Sequence, residues 1–163
     1  MTSTNSDARN VAFSQERFDL HDGIGCEAVK NALLFFTGEL KDNNDKYGID
    51  LIQPENKIAV EVEHCGVSRW SSGRFPPKIC PPDIPLRKEE KMLEAFRSGW
   101  KYAYAWVRND CHMILFVWLD DNRFNECSRQ IRDTKYKGGE PFLLPKYEWF
   151  QYISVPQMYW RTN

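Results

Sequence analysis

Asp50, Glu61 and Glu63 stand where acidic residues are poorly tolerated, inside the two apolar runs of "YGIDLIQPENKIAVEVEH", residues 47 to 64. Asp and Glu are poor strand formers and are rarely buried without a partner. If Pro54 to Lys57 form the loop of a hairpin, Gln53 faces Ile58 and Asp50 faces Glu61. Directly opposed residues have Cβ atoms roughly 4.5–5.5 Å apart, and Glu63, two residues on, shares the face of Glu61. Three carboxylates then occupy one patch. Two of them at about 4 Å would repel by about 4 kcal/mol at an effective dielectric of about 20, a large share of a domain's stability. A hard divalent cation offsets that repulsion, and Mg²⁺ typically takes one or two carboxylates, with waters and substrate phosphate completing its shell.

This donor set suits phosphodiester hydrolysis. A bound cation lowers the pKa of the attacking water and neutralises charge building up at phosphorus. Asp50 and Glu61 would hold the metal, and Glu63 would orient or deprotonate the water. The plainer reading is an exposed hairpin whose wet face is acidic, with Ile49, Leu51, Val60 and Val62 as its buried side.

The elements that must position these residues follow from periodicity. "GIGCEAVKNALLFFTGEL" predicts a helix, with Val29, Leu33, Phe36 and Leu40 at helical spacing. "DNNDK" is a loop, and little room is left before Asp50 for a further strand. Residues 48 to 53 and 58 to 63 predict the hairpin, followed by an irregular stretch rich in Gly, Ser and Pro, "CGVSRWSSGRFPPKICPPD". "IPLRKEEKMLEAFRSG" predicts a second helix with Pro85 in its first turn and Gly99 past its end. "KYAYAWVR" alternates as a strand, and "HMILFVWL" is apolar throughout, as in a strand covered on both sides. Asn109 and Asp110 would turn one into the other. A short helix from Glu126 to Arg132 and the aromatic "KYEWFQYISV" complete the chain. The pattern is that of one α/β domain over residues 15 to 163, a central mixed sheet flanked by helices, behind a flexible tail of residues 1 to 14.

Composition bounds the function classes. The chain has 163 residues, of which 42% are hydrophobic and 14% aromatic, enough for a folded core. No apolar run reaches the length of a membrane span, and the polar start carries no signal-peptide core. Five scattered cysteines suit a reducing, cytoplasmic setting better than a disulfide framework. The irregular spacing of His64, Cys65, Cys80, Cys111 and His112, with no C-x-x-C pair, argues against zinc. Net charge is −1, so there is no global basic field, but two segments are locally basic. One runs from Gly66 to Lys91 and includes Arg69, Arg74, Lys78, Arg87, Lys88 and Lys91. The other includes Arg123, Arg129, Arg132, Lys135 and Lys137. Each taken alone reads as solvated surface. Beside a phosphodiester-cleaving site, however, Arg69, Arg74, Lys78 and Arg87 would contact phosphates, with Trp70 and Phe75 placed to stack on bases.

The helix with Glu27 near its start, the strands "YGIDLI" and "IAVEVEH", and "LRKEEKMLEAFRSGWKYAYAWVR" after them together resemble the PD-(D/E)XK nuclease superfamily over residues 23 to 119. The resemblance implies a restriction-endonuclease-like core, similar to that of Holliday-junction resolvases. It implies Mg²⁺ or Mn²⁺ bound by Asp50 and Glu61 with help from Glu27, and DNA as substrate. Glu63 stands where the family usually has lysine, so either Glu63 activates the water or Lys88 reaches in from the next helix. The expected activity is a metal-dependent DNA endonuclease of restriction, resolvase or homing type, working as a homodimer. The alternative is a non-catalytic nucleic-acid-binding protein that keeps the nuclease fold.

Overall fold

A computed structural model describes residues 15–45, 48–65, 82–133 and 138–159, with side chains described from residue 23 to residue 158 within these ranges. The segments that contain Arg69, Trp70, Arg74, Phe75, Lys78 and Cys80, and the tail of residues 1 to 14, lie outside the described residues. The fold is α/β, with a mixed six-stranded sheet, a second sheet of three strands, and helices.

Helix α1 (Gln15–Ala32) starts earlier than the periodicity predicts, and a short α2 (Leu34–Thr37) follows it. The strand for which the sequence left little room is β1 (Lys41–Asp42), only two residues long. Strands β2 (Leu51–Gln53) and β3 (Ile58–His64) form the hairpin around a 3₁₀ turn at Pro54–Asn56. Its register is the expected one, Gln53 with Ile58 and Leu51 with Val60. The Gln53 side chain accepts from the Asn56 backbone N–H at 3.0 Å, which closes the turn.

The predicted second helix is shorter than its pattern. Ile84–Pro85 form a small strand, β4, Leu86–Lys88 a 3₁₀ turn, and only Glu89–Arg97 the helix α3. Pro85 therefore sits in a strand rather than in a helical first turn, because Ile84 and Pro85 pair with Leu143 and Phe142. Strands β5 (Lys101–Val107) and β6 (Met113–Leu119) form where the sequence placed them, turning near Asn109 and Asp110.

The helix expected over Glu126 to Arg132 is not formed. Helix α4 is Asp121–Glu126, because the Asp120 side chain caps it by accepting from the Arg123 N–H at 2.8 Å. Ser128–Arg132 is instead the strand β7, paired along its length with β8 (Glu140–Leu144). Sheet pairing with a distant partner overrides a weak local helix signal here. The aromatic end of the chain supplies β9 (Gln151–Ser154).

The large sheet has the order β1-β2-β3-β5-β6-β9, with β3 and β5 parallel and the other pairs antiparallel. The small sheet has the order β4-β8-β7. Strand alternation gives the large sheet two buried faces. On one face, Val60, Val62, Ala103 and Ala105 pack with Ala28, Val29 and Leu33 of the α1 region. On the other, Ala59, Tyr102, Tyr104 and Trp106 pack with Met92 and Ala95 of α3 and with Ile84 and Leu143 of the small sheet. Of the helical-spacing residues, Val29, Leu33 and Leu40 are buried as expected, but Phe36 is more than half exposed.

Candidate active site

Glu61 is the most telling side chain. It lies in the middle of β3 on the α3 side, and its side chain is 1% exposed. The wet-face reading of the hairpin therefore fails at this residue: its carboxylate is buried, not solvated. A buried carboxylate needs compensation, and α3 with its preceding turn provides it. Lys88 closes an ion pair on Glu61 Oε1, and the Lys91 ammonium lies 3.8 Å from the same oxygen. The two lysines are three residues apart on one helical face and so reach the same point. Lys91 also donates to the Gly48 carbonyl at 2.8 Å, tying α3 to the segment that leads into Asp50. Glu61 Oε2 is buried and has no hydrogen-bond partner among the described residues.

Asp50 lies one residue before β2. Its Oδ2 accepts the Val62 backbone N–H at 2.8 Å. That bond crosses the hairpin and fixes the Asp50 carboxylate against β3 at the residue between Glu61 and Glu63. The Asp50 carbonyl accepts from the Asn43 N–H at 3.0 Å, so the strand is held from both sides. Glu63 is half-buried on the face of Glu61. Beneath these carboxylates, Tyr104 and Tyr102 of β5 are fully buried. Burial first, and then the negative charges of Glu61 and Asp50, push the Tyr102 phenol well above its usual range. Burial, with Glu63 as the next cause, does the same for Tyr104. Both phenols are therefore neutral at physiological pH, and neither adds a charge to the site.

The structure thus brings Lys88 onto Glu61 with Asp50 anchored to the same hairpin, and it adds Lys91, which in the sequence is only part of a basic run. It does not bring Glu27 to them. Glu27 is exposed, lies 3.6 Å from Lys30, and belongs to the helix that covers the opposite face of the sheet. Lys30 in turn pairs with Asp42 at 3.0 Å; burial alone would lower its ammonium, but Asp42 and Glu27 outweigh this and raise it.

Arg87 is exposed and pairs with Glu140 at 3.1 Å. In the second basic segment Lys135 and Lys137 lie outside the described residues, and each of the three described arginines has a partner. Arg132 pairs with the buried Asp83, Arg129 lies 3.7 Å from Glu89, and Arg123 stacks on Trp149 with its charge 5.0 Å from the ring centre. His64 points to the α1 side, where Nε2 is 3.6 Å from Cys111 Sγ. A Cβ at Gly25 would lie 3.1 Å from the His64 Cβ, so glycine suits the close approach of α1 to the end of β3.

Among the described residues, no group of three or more His, Cys, Asp or Glu side chains is arranged to hold a metal ion. Two of the expected oxygen donors lie on one side of the hairpin, the Asp50 carboxylate and the buried Glu61 Oε2; a hard dication held by them would take its remaining ligands from waters and substrate phosphate. Among the described residues no helix is long and apolar enough to cross a membrane. Comparison with protein-family models, with curated proteins and with solved structures finds no match for this chain.

Proposed function

We propose that this protein is a metal-dependent DNA endonuclease with a core of the PD-(D/E)XK type, in which Asp50 and Glu61 hold Mg²⁺ or Mn²⁺. The observation that carries this reading is the buried Glu61 carboxylate, beside an Asp50 carboxylate anchored to β3 and a lysine from α3's leading turn. A structural hairpin has no need of such an arrangement, since an apolar residue at position 61 would be cheaper to bury. When bound, the cation would activate water and screen the negative charge developing on the phosphate.

The chain's own residues do the rest. Asp50 is oriented by the Val62 N–H. Lys88, paired with Glu61 Oε1, would donate to a phosphate oxygen or handle the proton of the attacking water. Glu63 is the other candidate for that proton. DNA would lie across the α3 side of the hairpin, with Arg69, Trp70, Arg74, Lys78 and Arg87 as contacts, and two copies would supply the two cuts of a duplex.

One observation favours the rival reading. Lys88 and Lys91 both sit on Glu61 Oε1, so the carboxylate is compensated without a metal. A nucleic-acid-binding protein that keeps the nuclease fold would look like this too. Incubation with supercoiled, branched and single-stranded DNA, with and without Mg²⁺, separates the two. Cleavage that requires Mg²⁺ supports the enzyme; retention of DNA without cleavage in Mg²⁺ or Mn²⁺ supports the binding protein.

A further inference from the structure

Between the segment that leads into β2, the strands β2 and β3, and the C-terminal half of α3 lies a cavity of about 390 Å³. That volume lies within the range of small-molecule sites. Its floor is Ile52 and Ala59, and its walls are Ala95 of α3 and the indole of Trp100. Gly99, with φ +75°, reverses the chain at the end of α3, and the Trp100 N–H returns to the Ala95 carbonyl at 2.9 Å, which sets the indole at the cavity wall. Three charged residues line this slot beside its apolar floor, the carboxylates of Asp45 and Glu94 and the ammonium of Lys91. Glu94 makes no ion pair with a described residue, whereas Lys91 lines the end nearest Glu61 and lies 3.8 Å from that carboxylate. Ala59 and Glu61 are successive residues on one face of β3, so floor and carboxylate are separated by roughly 7 Å, two strand residues.

We propose that this cavity receives a single unpaired nucleobase of the DNA whose phosphate sits at Glu61, so that the enzyme acts on DNA with an unstacked nucleotide beside the scissile bond. The inference rests on the nuclease reading of the neighbouring carboxylates. An apolar slot with an aromatic wall suits the face of a base. A carboxylate at the rim accepts from an exocyclic amino group, as acidic side chains do from cytosine N4, so cytosine and adenine are favoured over thymine. Lys91, at the end nearer Glu61, would meet the negative sugar-phosphate side. A base inside a duplex cannot enter such a slot, and extruding one is least costly where it is mismatched or already unpaired.

The test uses labelled duplexes that differ at one position: fully paired, with one unpaired cytosine, with one unpaired thymine, or with an abasic bulge. Binding is measured without divalent metal. The proposal expects the cytosine bulge to bind roughly ten-fold tighter than the abasic bulge, the scale of one base–aromatic stack. It expects Ser98→Trp, an exposed position on the cavity rim, to remove that difference. Glu94→Gln keeps the shape and should bring cytosine and thymine together. Equal binding of base and abasic bulges, or a preference that survives Ser98→Trp in a protein whose melting is unchanged, overturns the proposal. If it fails while Mg²⁺-dependent plasmid cleavage persists, the nuclease reading stands alone. If no DNA is bound or cut, both fall.

Discussion

Val60 and Val62 face α1, while Glu61 and Glu63, their neighbours in sequence, face α3, and that alternation divides the six-stranded sheet into two unlike surfaces. The α1 surface is apolar throughout at its centre, with Ala103 and Ala105 opposite Val29 and Leu33. Burial there contributes through area alone. The α3 surface buries a carboxylate, two phenols and an indole among its apolar residues. Each of those groups must be matched or kept neutral, and two lysines are recruited to do so for Glu61. If the proposed nuclease reading holds, stability and chemistry are carried on opposite sides of the same strands and should separate under mutation.

The largest expected effect is on catalysis. Asp50→Asn keeps an acceptor for the Val62 N–H but removes the charge proposed to hold the metal, so cleavage should fall on the order of a hundred-fold or more, with little change in melting. Leu33→Ala should do the reverse. This fully buried residue of the α1 surface should cost about 2–5 kcal/mol in a denaturant titration, while the folded fraction cleaves normally. A Leu33→Ala protein that is stable but inactive would break the comparison.

Glu61 sits on the boundary between the two roles. From charge repulsion alone, removing it would be expected to leave stability unchanged or improved. Its pairing with Lys88 reverses that expectation. Glu61→Gln should destabilise by about 1–3 kcal/mol, because the lysines lose their carboxylate. Glu61→Gln combined with Lys88→Met should recover much of that loss, a coupling that a double-mutant cycle reads directly. Additive losses would mean that the pair is not linked in solution.

The pH dependence of stability sharpens the same contrast. Tyr102 and Tyr104 have folded pKa values raised well above the usual value near 10. Between the unfolded and the folded pKa, the folded state holds the phenolic protons that the unfolded state has released. The phenols' contribution is therefore fully present below about pH 10 and is lost as pH rises beyond it. Melting temperature should drop steeply above pH 10, and Tyr102→Phe with Tyr104→Phe should flatten that drop.

The smallest effects concern surface charge. If Arg69, Arg74 and Lys78 touch phosphates, each alanine variant should reduce the log–log salt slope of DNA binding by about 0.9. Arg129→Ala, whose guanidinium faces Glu89, should leave the slope unchanged and shift stability by less than about 1 kcal/mol.

Much of this arrangement was legible in the sequence because it is local. The hairpin register and the apolar β6 each follow from spacing within a few residues, whereas for β1 the sequence showed only that little room was left. Asp50 and Glu61 drew attention because charge is out of place in a strand. What was not legible depends on partners distant along the chain. Ser128–Arg132 looked helical until β8 supplied a ladder for it. Ile84 and Pro85 became a strand through Leu143 and Phe142, and that pairing, with the Asp83–Arg132 and Arg87–Glu140 ion pairs, anchors the turn that delivers Lys88. Lys91 gave no signal of its own, since a helix lysine is ordinarily solvated. The burial of Glu61 was likewise hidden: alternation showed which face it takes, but not that α3 and the small sheet would cover that face.

The most direct test of the central claim is the rate of cleavage of supercoiled plasmid against Mg²⁺ concentration, for the parent protein, Asp50→Asn, Glu63→Ala and Lys88→Ala. If Asp50 holds the cation, the parent shows saturable Mg²⁺-dependent cleavage and Asp50→Asn none detectable above background at any concentration. Either Glu63→Ala or Lys88→Ala should be severely slowed, which identifies the group that handles the proton of the attacking water. Cleavage by Asp50→Asn at the parental rate, or no cleavage of any DNA by the parent across the whole range, would contradict that claim.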